Sequence, residues 1–174
     1  MGSIFSFVGE DVKDKVGVLS NHHQCPIRGL HYITIKSMME YESGSPKERL
    51  EPGRPTNKAT IPSGSRTLLR LHRALEFVML LMKGLIEAKD EDPVSNIAQD
   101  AYKQSLIKYH GWIIRNGAHY AMYALPSKIG LMEKISKHSY TDIGEYARRM
   151  TASMDLVYKR TDELYTEFKL QDLP

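Results

Sequence analysis

Three arginines at the head of an otherwise apolar helical segment, Arg66, Arg70 and Arg73 in "SRTLLRLHRALEFVMLLMKGL", are the residues best placed to do chemistry in this chain. At about 100° per residue, Arg70 falls roughly 40° ahead of Arg66 and Arg73 roughly 20° behind it, so the three form one line. Phe77, Leu80 and Leu81 take over the same sector farther along. A stripe that is cationic at one end and apolar at the other suits an amphiphile with an anionic head, because guanidinium forks pair bidentately with phosphate. Salt bridges along a helix edge are the alternative from this stripe alone. Helix stability does not explain the line, since cations at a helix N-terminus oppose the macrodipole. The same wheel turns His72, Glu76, Lys83 and Glu87 toward solvent and Leu71, Leu75, Val78 and Met82 toward a core.

Other polar positions are less telling by themselves. Asp11 and Lys15 lie four apart with the acid first, the favourable order for a helical ion pair. His110 stands among apolar residues in "LIKYHGWII", where it reads either as a core histidine or as a ligand-binding one. His22, His23 and Cys25 lack the further ligands a zinc site needs, and no metal is expected. Asp90, Glu91 and Asp92 have neither the glycine nor the spacing of a calcium loop. Nucleophile elbow, metalloprotease, P-loop and dinucleotide motifs are missing from the sequence, so the reading is not an enzyme, with no cofactor.

These residues must be positioned by helices. Apolar periodicity and breakers predict an all-α chain of about seven helices. The first covers residues 3–19 and the second 30–42. A Pro/Gly/Ser-rich basic loop follows to about Ser65, carrying Lys47, Arg49, Arg54 and Lys58. Ser65 is expected to cap the arginine helix, which runs to about Ala88. Asp92 and Pro93 start a stretch that is helical to about Leu125 and bent near Gly111. A short helix covers about 128–137. In the last helix Ala147, Met150, Met154, Val157, Thr161, Leu164 and Phe168 mark the core stripe.

The 174 residues fit one domain, 1–174. A net charge of +3 is far from the basic density of a nucleic-acid binder. The single cysteine excludes an internal disulfide and suits a reducing compartment. No run approaches the roughly 20 apolar residues of a membrane span. "MGSIFS" fits the myristoylation pattern at Gly2. The competing reading is that Ile4, Phe5, Phe7 and Val8 begin a buried helix.

Taken together, "GSIFSFVGEDVKDKV", "HYITIKSMMEYE", "SRTLLRLHRALEF", "AYKQSLIKYHGWII" and "LYTEFKLQDLP" resemble the glycolipid transfer protein superfamily, and within it the branch selective for ceramide 1-phosphate. The resemblance covers almost the whole chain in the family's order. It implies a two-layer all-helical sandwich with an apolar pocket for lipid chains, here lacking the family's first helix. It also implies a head-group site. Asp11 matches the acid that binds the sphingoid amide N–H and hydroxyl, and Lys15 a lysine facing the head group. Arg66 and Arg70 match the arginines on the phosphate, Arg73 a further cation, and His110 the donor to the amide carbonyl. Glycolipid-selective members have a tryptophan resembling position 70, whose flat face stacks on a sugar. An arginine there suits a phosphate, although Gly111 in "YHGW" looks more like the glycolipid branch.

Trp112 matches a membrane-docking residue, with core packing as the alternative. The basic loop would add attraction to anionic lipid or simply be solvated. The implied function is a non-enzymatic carrier of ceramide 1-phosphate or a related phosphosphingolipid. It is expected to be a cytoplasmic monomer that touches membranes transiently and binds no nucleic acid. The alternative is a helical protein-interaction module, or an inactive truncated form that keeps the fold without transfer.

Overall fold

The computed structural model describes residues 2–44, 62–135 and 140–173, and the basic-loop cations Lys47, Arg49, Arg54 and Lys58 lie outside that set, as do the side chains of Ile4, Phe5, Phe7 and Val8. The described residues are helical throughout, without a strand: α1 (Gly2–His23), a 3-10 turn (Gly29–Tyr32), α2 (Ile35–Gly44), α3 (Gly64–Glu87), α4 (Val94–Gln104), a second 3-10 turn (Ile107–Tyr109), α5 (Trp112–Tyr123), α6 (Lys128–Ile135) and α7 (Tyr140–Glu167). They fall into two compact units. The first comprises residues 1–72 and 159–174, the second residues 73–158.

In the first unit, the segment expected as one helix over 30–42 is broken at Ile33 and Thr34. The break has a local cause, because Thr34 caps α2. Its hydroxyl accepts the Ser37 N–H at 3.0 Å while the Ser37 hydroxyl accepts the Thr34 N–H at 3.1 Å, a reciprocal capping box. Met39, Leu69, Tyr165, Leu170 and Leu173 form the buried core here, with Ile35, Leu68, Leu164 and Phe168 packed against it. Each such side chain removed from water contributes about 1.5–3 kcal/mol. Gly29 admits a close passage of the chain, since a Cβ there would meet the His23 carbonyl oxygen at 2.2 Å.

Two expectations are corrected in this unit. His72 does not face solvent. It is buried, with Nε2 3.4 Å from Asp162 Oδ1 and its ring stacked beside Tyr165, because the last turns of α7 cover the sector assigned to water. Ser65 is not the cap of α3 either. Ser63 is, its hydroxyl accepting the Arg66 N–H at 3.3 Å, two residues earlier than the periodicity suggests.

The second unit has two adjoining clusters. Leu85, Val94 and Leu131 are buried with Leu81, Met82, Ile97 and Leu125 around them. Ala98, Tyr102 and Met122 are buried with Phe77, Leu81, Leu106, Ile107, Ala118 and Leu125. Asp92 does not cap α4; its carboxylate accepts the Lys89 N–H at 2.8 Å and closes the turn after α3. Pro93 is the extended residue just before Val94. The bend expected near Gly111 is present, with Gly111 extended at the start of α5.

The α7 stripe is corrected in both units. Ala147 and Thr161 are buried as expected, but Met150 is 42% and Val157 55% exposed, and Thr151 and Tyr165 are buried instead. Thr151 Oγ1 donates to the Ala147 carbonyl at 2.7 Å, so its hydroxyl is satisfied within the helix and can be buried cheaply. Tyr165 donates to the Ser65 carbonyl at 2.6 Å. Sequence hydropathy ranks methionine above threonine and cannot see either bond.

Candidate functional site

The arginine helix is fixed at its head by a carboxylate. Glu42, on α2, is only 1% exposed. Its Oε1 accepts the Tyr32 hydroxyl at 2.8 Å and the Gly64 N–H at 2.7 Å. Its Oε2 accepts the Ser63 hydroxyl at 2.7 Å and the Ser65 N–H at 2.9 Å. Burial by itself raises the Glu42 carboxyl, but the donors of Ser65, Ser63 and Tyr32 outweigh it and hold the group below the ordinary glutamate value. A buried anion thus sits on the free N–H groups of α3, the position where the helix dipole favours it. The approach is tight. A Cβ on Gly64 would lie 2.6 Å from Met38 Sδ and 2.9 Å from the Tyr32 ring.

Arg66 and Arg70 follow in the first two turns of α3, both in the first unit. Arg66 is half-buried. Arg70 is exposed. Asp11 and Lys15 belong to the same unit and are joined as an ion pair on α1, with the lysine the more buried partner.

Arg73 and His110 belong to the second unit. The Arg73 guanidinium lies 3.8 Å from the centre of the Tyr109 ring, a cation–π contact to a half-buried cation. His110 ends the second 3-10 turn in an extended conformation. Its backbone N–H donates to Ile107 at 3.3 Å, its carbonyl accepts Arg115 Nε at 2.7 Å, and its Nδ1 is 2.8 Å from the Tyr102 hydroxyl. Burial, and then the Arg115 charge, lower its pKa from the ordinary histidine value. Burial and Arg115 thus both disfavour the charged ring, whose Nδ1 meets Tyr102 while the His110 backbone is bonded at both its N–H and its carbonyl.

Trp112 opens α5 and is 75% exposed, next to Ile113 at 77%. The core-packing alternative for Trp112 is thereby set aside. In the first unit an apolar cavity of about 170 Å³ is lined by Leu19, Tyr32, Ile33, Ile35, Met38 and Leu68. That is below the roughly 300–1,000 Å³ of ordinary ligand pockets. Among the described residues, no group of three or more His, Cys, Asp or Glu could hold a metal ion, and no helix is long and apolar enough to cross a membrane.

Sequence reasoning missed Glu42, Tyr102 and Arg115. Tyr102 and Glu42 stand within segments that carried the resemblance, but nothing in their spacing marks them as partners of His110 or of the α3 head. Glu42 meets residues 21–23 positions away, and only the turn residues Ser63-Gly64-Ser65 hint that a helix start there needs an acceptor.

The glycolipid transfer protein (GLTP) family model matches residues 1–137. A ceramide-1-phosphate transfer protein of Rattus norvegicus is 33% identical over 175 residues, covering 100% of this chain and 79% of that protein. The crystal structure of the mouse ceramide-1-phosphate transfer protein in its apo form superposes with a TM-score of 0.87 at 32% identity, covering 100% of this chain and 82% of that one. The human protein in complex with 12:0 ceramide-1-phosphate gives 0.86 at 29% identity, over 99% of this chain and 81% of that one. The chain is all-helical, has the fold of these lipid transfer proteins, and belongs to the glycolipid transfer protein family.

Proposed function

We propose that this chain is a non-enzymatic carrier that moves ceramide 1-phosphate, or a closely related phosphosphingolipid, between membranes as one domain of residues 1–174. The observation that carries the reading is an exposed arginine at position 70, four residues after Arg66 on a helix head whose start is locked by Glu42. A guanidinium gives phosphate a fork of donors and gives a sugar ring no flat apolar platform. In this reading Arg66 and Arg70 take the phosphate, Lys15 and Arg73 add positive charge, Asp11 accepts the amide N–H and a hydroxyl, and His110 donates to the amide carbonyl.

The thermodynamic task is desorption. Each methylene buried in the membrane contributes about 0.8 kcal/mol, so a two-chain lipid does not leave unaided at a useful rate. A carrier lowers that barrier by covering the tails and replacing the head group's water with hydrogen bonds. No bond is made or broken. The 170 Å³ cavity of the first unit does not by itself hold two chains. Trp112 and Ile113, exposed at the start of α5, would touch the membrane during transfer. The protein itself would be monomeric and cytoplasmic.

The test is transfer of fluorescent ceramide 1-phosphate and fluorescent galactosylceramide between two vesicle populations. The wild-type chain is expected to move the phosphate lipid selectively. Arg70→Leu removes charge-assisted bonds of about 1.5–3 kcal/mol and is expected to weaken binding roughly 10- to 100-fold. Equal transfer of both lipids, or an unaltered Arg70→Leu variant, overturns the reading. Ile27, Leu30 and Ile33 are also strongly exposed, which favours a second reading as a protein-interaction module. In that case Arg70→Leu leaves partner binding intact.

A further inference from the structure

Burial and the Arg115 charge both disfavour the charged form of His110, and a neutral imidazole has one N–H and one bare lone pair. Which nitrogen carries the proton is set by the partner of the other. That partner is Tyr102, whose hydroxyl oxygen is 2.8 Å from Nδ1. Two hydrogen-bond polarities fit this distance, and the surroundings decide between them. Tyr102 is buried, its ring edge-on to Phe77 at 6.5 Å and clustered with Ala98, Met122, Leu81 and Ile107, side chains that offer at most the weakly accepting thioether of Met122. If Nδ1 carried the proton, the phenol proton would have to find another acceptor in this apolar setting or go unpaired, and a buried unpaired hydroxyl is costly. A phenol is moreover a better donor than acceptor, while an imidazole lone pair is a strong acceptor. The favoured arrangement has Tyr102 donating to Nδ1.

We infer that Tyr102 is a positioning residue for lipid recognition: its hydroxyl engages the Nδ1 lone pair of His110 and so fixes the imidazole proton on Nε2, the nitrogen that must donate to the amide carbonyl of the sphingolipid. This rests on the reading of His110 as the amide-carbonyl donor. The rest of the cage supports it. Arg115 holds the His110 carbonyl at 2.7 Å, and the His110 N–H closes on Ile107, so the backbone that carries the ring is bonded on both sides. The positive charge of Arg115 also disfavours an imidazolium, keeping a single ring N–H available. Arg115 has no bond to the ring itself. Tyr102 alone among these residues acts on the tautomer.

The decisive variant is Tyr102→Phe, which keeps the ring packed against Phe77 and removes only the hydroxyl. Ring-¹⁵N-labelled protein without lipid is examined by long-range ¹H–¹⁵N correlation spectra, and the same preparations are assayed for transfer of ceramide 1-phosphate. Wild-type His110 is expected to show a pure Nε2–H tautomer. Tyr102→Phe is expected to show averaged ring shifts from exchanging tautomers, a raised His110 titration midpoint, and transfer reduced about fivefold, the equivalent of one ordinary hydrogen bond. A packing role alone moves neither the tautomer nor the midpoint. An Nδ1–H or averaged pattern in the wild type overturns the inference without any mutant. So does a Tyr102→Phe variant with unchanged ring shifts. If the wild type holds a pure Nε2–H tautomer but moves no ceramide 1-phosphate, the carrier reading fails instead, because the ring assignment is made on lipid-free protein.

Discussion

Glu42→Gln is the substitution whose effect is best worked from the structure, because it keeps shape and removes charge at the head of the arginine helix. Each carboxylate oxygen accepts two donors, Tyr32 and Gly64 on Oε1 and Ser63 and Ser65 on Oε2. A glutamine offers one such oxygen, and its NH₂ must face the other pair. The hydroxyl in either pair can rotate to accept, whereas the backbone N–H cannot. One bond to a charged acceptor is lost outright and the others weaken, at about 1.5–3 kcal/mol for each charged bond, so the expected loss is about 3 kcal/mol. That is a large share of the roughly 5–15 kcal/mol by which domains are stable. In urea it should lower the midpoint by about 1.5 M for an m-value near 2 kcal/mol/M, with m unchanged.

The pH dependence adds a second readout on the same residue. Its folded pKa is depressed, so the unfolded chain binds the proton first. The stabilisation is present above the unfolded glutamate value of about 4.3 and is lost as pH falls from there through the folded value. Glu42→Gln should flatten that acid-side slope. A loss below about 1 kcal/mol with unchanged m would refute the claim that this carboxylate holds the α3 head. Parallel acid-side slopes for the two proteins would do the same.

Three further outcomes are expected. Trp112→Ala should weaken binding to anionic vesicles roughly tenfold, and the sole tryptophan's emission should shift blue when the wild type binds; unshifted emission removes Trp112 from the docking surface. Lys128→Met should cost about 1–2 kcal/mol in thermal or urea unfolding, because the buried Lys128 ammonium donates to the Ala88 carbonyl just past α3 and lies 3.4 Å from Asp90. His110 has a lowered folded pKa, from burial and then Arg115, so stability should decline as pH falls through about 6.5 and level off below the folded value. His110→Gln should abolish that step.

Much of the architecture is legible in sequence because it is written locally. Pro126, Gly111 and the Asp92-Pro93 pair punctuate the chain where helices stop or turn, and the Asp11–Lys15 spacing brings its pair together on α1. The errors arise where a residue's setting depends on a distant segment. A helical wheel gives α3 one buried face, but Leu69 and Met79 are buried on the side read as solvent because it holds His72 and Glu76, and Leu85 is buried on another. A histidine beside a glutamate reads as surface until Asp162, ninety positions away, is brought to it. Glu42 fails in the same manner. In "MMEYE" it reads as the polar side of an amphipathic helix, and only the fold supplies its four donors.

The two results bear on each other through electrostatics at the α3 head. An arginine in the first turn of a helix opposes its dipole by about 0.3–1 kcal/mol, so Arg66, the third residue of α3, works against the helix that holds it, and Arg70 one turn on adds less. Glu42 reverses the balance at the terminus itself. It puts a full negative charge on the Gly64 and Ser65 N–H groups, where the dipole welcomes it, and leaves the arginines to be arranged for another purpose. A plain surface helix would solve the problem more simply by having no arginines there. Their retention together with a buried counter-anion is the expected signature of a helix head whose cations serve a ligand. It also predicts coupling: with the carboxylate gone Arg66 opposes the dipole without an offset, so replacing Arg66 with leucine should gain more stability in the Glu42→Gln background than in the wild type, and the two substitutions should also be non-additive in ceramide 1-phosphate binding, because the carboxylate sets where the arginine line begins. If the cycle shows stability coupling alone, with lipid binding additive, the arginines and Glu42 form only a structural charge pair.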